Sequence, residues 1–568
     1  MFFMRNFNEL GSRSNKVPLN IGLLRHQHIS SGGLVLLSAL YFTIVLNLRL
    51  WRYLIEHLEI DGFKMFLFGC TFPIVIFCAM AFLFNAILLP YVAKPLLICL
   101  TLASSATNYL MFNLGIVIDA NMIRNALETN TREATDLITF SAIIWIAFSG
   151  ILPAILIGLI KIDYLPWKKE LKTRLMTFAG CLCTAALIAA CFYKEYAAFG
   201  RNNKPLLKLI NTTNYLAATF RYYHLAILSN EPFQTIDDQA KLRPYSDAGH
   251  TVFVLIVGET ARASNFSLNG YGMNTNPELS KENVLSFKHA YSCGTATNIS
   301  LPCMFSDVTR QGQSKYNDLR NRENLVDLAQ RAGYEVLWLE NDDGSKGVSK
   351  RVPTENLYRS KNTKYCDEES CYDEILVDGL EDRLKNLKKD ALIIMHMIGS
   401  HGPTYYKRYP DTFKKFSPTC DTADLQKCSQ EEITNSYNNT IAYTDHVVAS
   451  AIRTLKKFPE LESGLMYVSD HGESLGENGI YLHGMPYSIA PEDQKHIPMV
   501  LWMSDRMKKQ DHLNFSCIAK KAENDTVSHD NLFSTLLALL EIESKTYDNS
   551  LDLFDSCRTE PLPTEASK

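Results

Sequence analysis

Five long apolar runs before residue 194 constrain the fold of this chain more than any other feature. Each run lacks Asp, Glu, Lys and Arg. Each is close to or longer than the roughly 20 residues that a helix needs to cross about 30 Å of hydrocarbon. One such run can be a buried core helix, but five in succession favour a membrane domain. The predicted spans are residues 29–48, 65–89, 95–118, 137–160 and 175–193.

Most of the charge follows the last run, in a larger water-soluble part. The 568 residues include 57 basic and 61 acidic side chains, and this formal net charge of −4 argues against nucleic acid as a partner. We predict a transmembrane domain over residues 1–193, a connector over 194–240 and a soluble domain over 241–568. The connector segment 204–228 mixes apolar and polar residues in a way that suits a helix in the membrane interface. A surface helix of the soluble domain is the alternative.

Basic residues near the spans predict the orientation of the chain. Four of them precede the first span: Arg5, Arg13, Lys16 and Arg25. Others crowd residues 161–174, between the fourth and fifth spans. These segments are expected on the cytoplasmic side. An odd number of spans then places the soluble part on the opposite side.

The cysteines independently indicate an oxidising compartment. Of 14 cysteines, six lie in predicted spans and eight lie beyond them. An even number in an exported domain is typical of disulfide bonding. Local spacing predicts three pairs and leaves Cys517 and Cys557: the pairs are Cys293 with Cys303, Cys366 with Cys371, and Cys420 with Cys428. Zinc binding by cysteines is the alternative, but these cysteines form no CxxC repeat.

In the soluble part, short β-branched runs alternate with helical stretches, which predicts an α/β domain with a largely parallel sheet. Three runs lead to polar residues: "TVFVLIVGET" to Glu259, "ALIIMHMIGSHGP" to His401, and "GLMYVSDHGES" to Asp470 and His471. Ligands bind beyond the carboxyl ends of such strands, so we expect these side chains, with His483, along one rim. Carboxylates and imidazoles that converge there suit a metal ion. Hydrogen-bonded loop residues are the alternative.

The segment "CGTATNISLPC" offers a nucleophile. Thr295 and Thr297 each carry a hydroxyl that a metal ion can help to deprotonate for attack on phosphorus or sulfur. The residues themselves do not choose between the two. Capping of a helix N-terminus is the competing role for either threonine.

Four blocks carry a resemblance to a known family: "VGETARASNFSLNGYGMNTNP", "SCGTATNISLPCMFS", "GSHGPTYYKRYP" and "SDHGESLGENGIYLHGMPY". They resemble the signature blocks of the lipid A phosphoethanolamine transferases, which include the mobile colistin-resistance enzymes. The resemblance implies five transmembrane helices followed by an α/β, alkaline-phosphatase-like (sulfatase-like) exported domain over about residues 240–560. It also implies the Gram-negative inner membrane, with the N-terminus cytoplasmic and the catalytic domain periplasmic.

The resemblance implies roles for the rim residues. The second threonine of the CGTxT block is the nucleophile of that family, and it is Thr297 here. His401 and His483 match histidines that bind substrate phosphate or a second metal. One zinc ion is therefore expected and a second is possible. The matched ligands of the expected zinc are Glu259, Thr297, Asp470 and His471.

Substrate-binding residues follow from the same resemblance. Lys346 in "NDDGSKGV" matches a phosphate-contacting lysine, whereas Asp342 stands where many relatives carry Asn and receives no role. The segment "NMIRNALETNTREA" resembles the lipid-headgroup segment of the family. It gives three donor-site candidates, Asn125, Thr129 and Glu133, for which a plain polar loop is the alternative.

The implied reaction has two steps and two membrane lipids. Thr297 attacks phosphatidylethanolamine, releases diacylglycerol and carries phosphoethanolamine until a phosphate of lipid A accepts it. His401 and His483 are the candidate general acids or bases. The added ammonium lowers the negative surface charge, which implies resistance to polymyxins such as colistin.

Three other functions compete with this reaction. The same transfer onto core heptose or a periplasmic glycan would use the same motifs. A sulfatase or a lipoteichoic-type phosphoglycerol transferase shares the metal rim, but the CxPxR signature of a sulfatase is absent from the sequence. A transporter or receptor without catalysis is disfavoured because the predicted spans contain no Asp, Glu, Lys or Arg.

Overall fold

The structure, a computed structural model, describes residues 27–128, 131–203, 205–226, 232–243, 250–315, 318–367, 370–510 and 512–560. The chain forms two compact units. The first comprises Leu54–Ser105, Trp145–Asn202 and the described residues up to Asn47. The second comprises Leu48–Tyr53, Ala106–Ile144 and the described residues from Asn203 onward. The domain boundaries given above stay a prediction.

The apolar runs form helices that are long enough to cross a membrane. Four helices qualify by length and composition: Gly62–Ile87, Ala93–Asn113, Phe140–Leu159 and Trp167–Asn202. The helices Ser31–Ile44 and Leu48–His57 are bent by 52° at the break between them and add a fifth span if they are counted as one. The described residues thus contain the membrane region that the five runs predict.

The bounds of several spans differ from the predicted ones, and two of these differences have local reasons. The run over residues 95–118 leaves the helix at Asn113, and Gly115 adopts a φ of +72°, which ends regular helix. The last helix, Trp167–Asn202, extends beyond the apolar run at both ends. Its first turns contain Lys, Glu and Leu, which all favour helix. The charged residues among them make this stretch too polar to be predicted as part of a membrane span.

An eight-stranded sheet is the frame of the second unit. Its strands are β1 (Thr251–Gly258), β2 (Leu285–Tyr291), β3 (Glu335–Glu340), β4 (Thr354–Asn356), β5 (Ala391–His396), β6 (Glu462–Ser469), β7 (His496–Met503) and β8 (Thr526–Ser528). The spatial order is β8-β2-β7-β6-β1-β5-β3-β4. Among these strands, only β7 runs antiparallel to its neighbours. The predicted α/β domain with a largely parallel sheet is therefore confirmed.

Helices of very different length accompany the sheet. Those within the second unit are Ala120–Glu128, Thr131–Asp136, Asn211–Ala226, Thr297–Met304, Leu325–Ala332, Leu380–Lys385, Gln430–Leu455, Asp505–Gln510, Phe515–Asn524 and Leu532–Leu539. The helix Asn211–Ala226 occupies the predicted connector helix, and its Phe220 and Tyr223 side chains are exposed. Its place in a membrane interface stays a prediction.

The central strands explain where a site can form. β1 and β6 are buried along their whole length, as expected for central strands of a sheet with cover on both faces. β6, β1, β5 and β3 are adjacent and parallel, so their carboxyl ends lie side by side. The residues that follow these four strands therefore share one edge of the sheet.

A different group of acids lies near the start of the strands. Glu462 begins β6 and Asp390 precedes β5. Burial, together with the charges of these two carboxylates, raises the pKa of Glu541 from 4.5 to about 7, although Arg243 opposes the shift. Glu541 therefore carries an unfavourable charge above neutral pH.

The Glu541→Gln variant is expected to be more stable than the wild type at pH 8 and equally stable at pH 4. The pKa of Glu541 is raised on folding, so the stability of the wild type falls as the pH rises from 4.5 to about 7. After allowance for solvent screening of a partly exposed group, the gain at pH 8 is about 1 to 2 kcal/mol. Thermal melting of the detergent-solubilised protein at both pH values measures it. Equal melting temperatures at pH 8 would contradict this reading.

Candidate functional site

Two carboxylates and an imidazole meet at the carboxyl edge of the sheet. Glu259 follows β1 and Asp470 follows β6, and the pairing of Gly258 with Ser469 brings both acids out at the same level. His471 comes next, and its Nε2 lies 3.4 Å from Glu259 Oε1 and 3.3 Å from Asp470 Oδ2. All three side chains are fully buried.

Thr297 joins this cluster and Thr295 does not. Thr297 is the first residue of the helix Thr297–Met304. Its hydroxyl donates to Glu259 Oε2 at 3.0 Å and lies 3.4 Å from His471 Nε2. The Thr295 hydroxyl instead donates to the backbone carbonyl of Met485 at 2.6 Å. Of the two threonines, Thr297 is therefore the one whose hydroxyl lies at the cluster.

The chemistry of this cluster fits a cation. Burial and the neighbouring acid raise the pKa of Glu259 well above its ordinary value, and burial also raises the pKa of Asp470. Among the described residues, Glu259 Oε1 and Asp470 Oδ2 have no hydrogen-bond partner although both are buried. Two such oxygens next to an imidazole match the donor set of a divalent metal.

His471 has the tautomer that a metal ligand requires. Burial lowers the pKa of this histidine well below its ordinary value, so the ring is neutral. Its Nδ1 lies 2.9 Å from the carbonyl oxygen of Gly472, which can only accept a hydrogen bond. Nδ1 therefore carries the hydrogen, and Nε2 keeps its lone pair towards Glu259 and Asp470.

Gly399 explains how the loop after β5 reaches the cluster. Its φ is +49°, and a Cβ at this position would lie 2.6 Å from the backbone oxygen of Glu259. The next residue, Ser400, donates its backbone N–H to the same oxygen at 3.0 Å. Only glycine permits this close approach, which brings the loop with His401 beside Glu259.

His401 and His483 face each other next to the cluster. Their ring centres are 5.5 Å apart, and the His483 ring lies 4.4 Å from that of His471. Together with Glu259 they form a second group of donors that can hold a metal. The Nδ1 of His483 lies 2.8 Å from the buried carboxylate of Glu473, which fixes the ring. A second metal and a substrate phosphate both remain compatible with this pair.

A third group of donors combines Asp342 and His396 with Glu259, and Glu340 lies beside it. The sequence analysis gave Asp342 no role and missed His396 and Glu340. His396 ends β5, and its Nδ1 lies 2.9 Å from Glu340 Oε1 at the end of β3. Although burial favours the neutral ring, the charge of Glu340 raises the pKa of His396 to about 9. Burial alone would raise the pKa of Asp342, but His396, His401 and Lys346 lower it to about 2. Glu340 and His396 each end a run of buried apolar residues. That change from apolar to polar was the sequence signal that could have identified them as site residues.

Lys346 lies close to this third group. Its Nζ donates to Asp343 Oδ2 at 2.9 Å and to the backbone carbonyl of the same residue at 3.0 Å. Its charge contributes to the low pKa of Asp342. The lysine is thus positioned to add positive charge near the edge of the sheet.

Of the three donor-site candidates, the structure describes the side chain of Asn125 alone. Asn125 lines a cavity of about 230 Å³ together with His401 and His483. Thr129 lies outside the described residues. Glu133 belongs to the helix Thr131–Asp136, but its side chain is likewise outside the description.

Ion pairs hold the segment that carries Asn125. Glu128, at the end of the helix Ala120–Glu128, pairs with Arg320 at 2.8 Å. Asp136 accepts hydrogen bonds from Thr404 at 2.8 Å and from Arg408 at 3.1 Å. These contacts, all within the second unit, fix the segment next to the loop that carries His401.

Four disulfides lie in the second unit: Cys293–Cys303, Cys366–Cys371, Cys420–Cys428 and Cys517–Cys557. The first of them brackets Thr297. The six other cysteines lie in the apolar helices and are unpaired.

Two family models match separate parts of the chain. The model described as "Sulfatase" matches residues 251–542, which span the sheet and its edge. The model described as "Phosphoethanolamine transferase EptA/EptB" matches residues 76–227. The fold predicted from the resemblance is confirmed.

Individual relatives match nearly the whole chain. The phosphoethanolamine transferase EptA of Escherichia coli K12 is 41% identical over 542 residues, which cover 94% of this chain and 98% of the relative. The phosphatidylethanolamine transferase Mcr-1 of Escherichia coli is 35% identical over 492 residues, 84% of this chain and 88% of the relative. The structure of the integral membrane protein lipooligosaccharide phosphoethanolamine transferase A (EptA) from Neisseria meningitidis superposes with a TM-score of 0.91 at 39% identity, and the match covers 94% of this chain and 100% of that one. The chain therefore belongs to the EptA family of membrane-bound phosphoethanolamine transferases.

Proposed function

We propose that this protein transfers phosphoethanolamine from phosphatidylethanolamine to a phosphate of lipid A through a phosphoethanolamine-threonine intermediate on Thr297. The observation that carries the proposal is the hydrogen bond of 3.0 Å from the Thr297 hydroxyl to Glu259, inside a buried cluster suited to a metal. The relatives support the proposal that phosphoethanolamine is the group transferred, because their names specify phosphoethanolamine or phosphatidylethanolamine. The name of one further relative specifies Kdo(2)-lipid A.

In the first step, Thr297 Oγ forms a bond to the phosphorus of phosphatidylethanolamine. The hydroxyl proton leaves towards Glu259 Oε2, to which it is already hydrogen-bonded. The bond between phosphorus and the diacylglycerol oxygen breaks, and that oxygen takes a proton from His401 or His483. The transferred group is then covalently bound to the enzyme, and diacylglycerol remains in the membrane.

In the second step, a phosphate oxygen of lipid A attacks the same phosphorus. The bond to Thr297 Oγ breaks, and the threonine oxygen takes back the proton held by Glu259. The proton that the acceptor phosphate loses returns to the histidine that protonated diacylglycerol. The product carries phosphoethanolamine on the lipid A phosphate. Because the added group brings an ammonium, the surface becomes less negative and binds cationic polymyxins more weakly.

We propose that zinc is the metal of the site. Glu259, Thr297, Asp470 and His471 would hold it, and His401 and His483 are available for a second ion or for the phosphate. When bound, zinc would favour the alkoxide form of the threonine and offset the charge on the phosphoryl oxygens. Lys346 adds a further positive charge near Asp342.

The proposed location follows from the substrates and the loop charges. Both lipids are membrane components, which gives a reason for a catalytic domain that remains joined to apolar helices. We propose the Gram-negative inner membrane, with the N-terminus in the cytoplasm and the catalytic domain in the periplasm. The oxidised cysteine pairs of the second unit suit that compartment.

The Thr297→Ala variant is expected to abolish lipid A modification, whereas Thr295→Ala lowers it without abolishing it. Removal of the Thr297 hydroxyl removes the atom that forms the covalent bond, whereas Thr295 loses only a hydrogen bond to Met485. Mass spectrometry of lipid A from a polymyxin-sensitive Gram-negative host expressing each protein measures the transfer. Polymyxin susceptibility should follow the mass change.

Three results would revise this proposal. Modified lipid A with Thr297→Ala would mean that another residue is the nucleophile. Unmodified lipid A with membrane-inserted wild type would direct the search to core heptose or periplasmic glycans. Modified lipid A without reduced susceptibility would separate the reaction from resistance.

The Asp470→Asn variant is expected to purify with at least tenfold less zinc than the wild type. The substitution removes a charged oxygen from the buried cluster, and a neutral amide binds zinc poorly. Metal analysis of the purified full-length protein measures zinc per chain. Asp445→Asn is the matched control because Asp445 is equally buried but accepts hydrogen bonds from the backbones of Glu278 and Leu279 outside the cluster. Equal zinc loss in both variants would contradict the assignment.

A further inference from the structure

A second cavity, of about 270 Å³, is lined by the residues that lead into Thr297. Thr295 and Ala296 form part of its wall. Met122 and Asn125 line this cavity as well as the cavity that contains His401 and His483. One helix therefore contributes to both cavities, and the second cavity adjoins the residues that precede Thr297.

Arg310 supplies the positive charge of this second cavity. Its Nε donates to the backbone carbonyl of Cys293 at 3.1 Å. Its guanidinium carbon lies 3.5 Å from the ring centre of Tyr487, whose hydroxyl donates to the carbonyl of Ser292 at 2.9 Å. These contacts hold the half-buried guanidinium against the loops on both sides of the cavity.

The guanidinium keeps hydrogen-bonding capacity for a ligand. Among the described residues, no carboxylate lies within ion-pair distance of it, and its terminal nitrogens have no hydrogen-bond acceptor. Asp530 accepts the backbone N–H of Arg310 at 2.7 Å. The Arg310 charge also opposes the rise in the pKa of Asp530 that burial causes, but the two side chains form no ion pair. The one acid that lines the cavity, Asp119, accepts the backbone N–H groups of Asn121 and Met122 at 3.0 Å each. Its carboxylate is thus occupied with the start of a helix.

We propose that this cavity binds the phosphate of the acceptor, a phosphorylated sugar lipid, and that Arg310 is the ion-pair partner of that phosphate. The inference rests on the proposed function and adds the place of the second substrate. A guanidinium with two free terminal nitrogens matches phosphate oxygens in a bidentate arrangement. Contact with Ala296, the residue before Thr297, brings a phosphate held here next to the nucleophile.

The two cavities differ in polarity, and each suits a different part of the two substrates. The cavity with His401 and His483 is lined by Leu110, Ile116 and Leu137, which suit the glycerol and chain ends of the donor. The second cavity contains the cation. Its volume of about 270 Å³ lies below the roughly 300–1,000 Å³ of drug-sized sites, so it accommodates a headgroup and not a whole lipid.

The test separates the two half-reactions in the full-length, zinc-loaded protein. Release of fluorescent diacylglycerol from labelled phosphatidylethanolamine, without acceptor, reports the first step as a burst of one equivalent. Transfer to purified lipid A reports the second step. We expect Arg310→Gln to leave the burst within twofold of wild type and to raise the KM for lipid A at least tenfold. Arg310→Lys should recover part of this loss because it restores the charge.

Arg359→Gln is the matched control. Arg359 also stacks on a tyrosine, Tyr358, with its guanidinium carbon 5.1 Å from the ring centre, but it is exposed and lines neither cavity. Both half-reactions should be unchanged in this variant. Equal effects of Arg359→Gln and Arg310→Gln would overturn the inference.

Three other outcomes would also overturn it. Loss of the burst in both Arg310 variants would mean that Arg310 supports the Thr297 loop. An unchanged KM for lipid A would place the acceptor elsewhere. If inorganic phosphate inhibits wild type and not Arg310→Gln while the KM for lipid A is the same in both, the site binds free phosphate only. The proposed function itself fails on wild type alone, if no burst or no lipid A transfer occurs.

Discussion

Burial of two carboxylates at neighbouring strand ends is the constraint that the site depends on. The register of β1 and β6 pairs Gly258 with Ser469, so Glu259 and Asp470 emerge together into a fully buried space. Two charges of the same sign in such a place are unfavourable unless protons or a cation compensate them. The pKa of each acid is raised because burial makes the charged form unfavourable. A cation that meets it would also lie beside Thr297, because the threonine hydroxyl is hydrogen-bonded to one of the two acids. The burial of the two acids and the position of the Thr297 hydroxyl are therefore linked.

The loops around this centre are joined to one another, which ties the cavities to the catalytic segment. The backbone N–H of Gly484 donates to the carbonyl of Thr295 at 2.7 Å, and the Thr295 hydroxyl donates to the carbonyl of Met485. These two hydrogen bonds join the loop that carries His483 to the residues that lead into Thr297. Between the predicted third and fourth spans, the segment with Asn125 is held by Glu128 and Asp136 through arginine partners. The shared wall of the two cavities is therefore fixed by charge pairs and not by apolar packing alone.

The sequence predicted the parts of the site that follow the rule of strand ends. Glu259, Asp470 and His471 were expected on one rim because polar residues interrupt buried runs there, and the sheet brings them together. His396 and Glu340 obey the same rule, but each is a single polar residue at the end of an apolar strand. One polar residue does not show by pattern alone whether it belongs to the strand or to a functional site. Arg310 has no such signal. Its position in the cavity depends on the contact with Tyr487, which is 177 residues away in the chain (487 − 310). Only the folded chain brings two such distant residues together, so the sequence alone does not reveal the contact.

The charge balance of the site decides how anionic substrates can enter it. The edge of the sheet holds the carboxylates of Glu259, Asp470, Asp342 and Glu340, of which the buried His396 cation offsets only one. Such an edge repels phosphate unless positive charge is added where the substrates bind. The charge of Lys346 acts on Asp342, but this lysine is already paired with Asp343 at 2.9 Å. A metal at Glu259 and Asp470 would add more positive charge. On the side of Thr295 and Ala296, Arg310 is the cation that lines the cavity. On this side an acceptor phosphate meets the guanidinium together with Asp119, whose carboxylate already accepts two backbone N–H groups. Arg310 thus offers the second substrate a cation beside a centre that is otherwise negative.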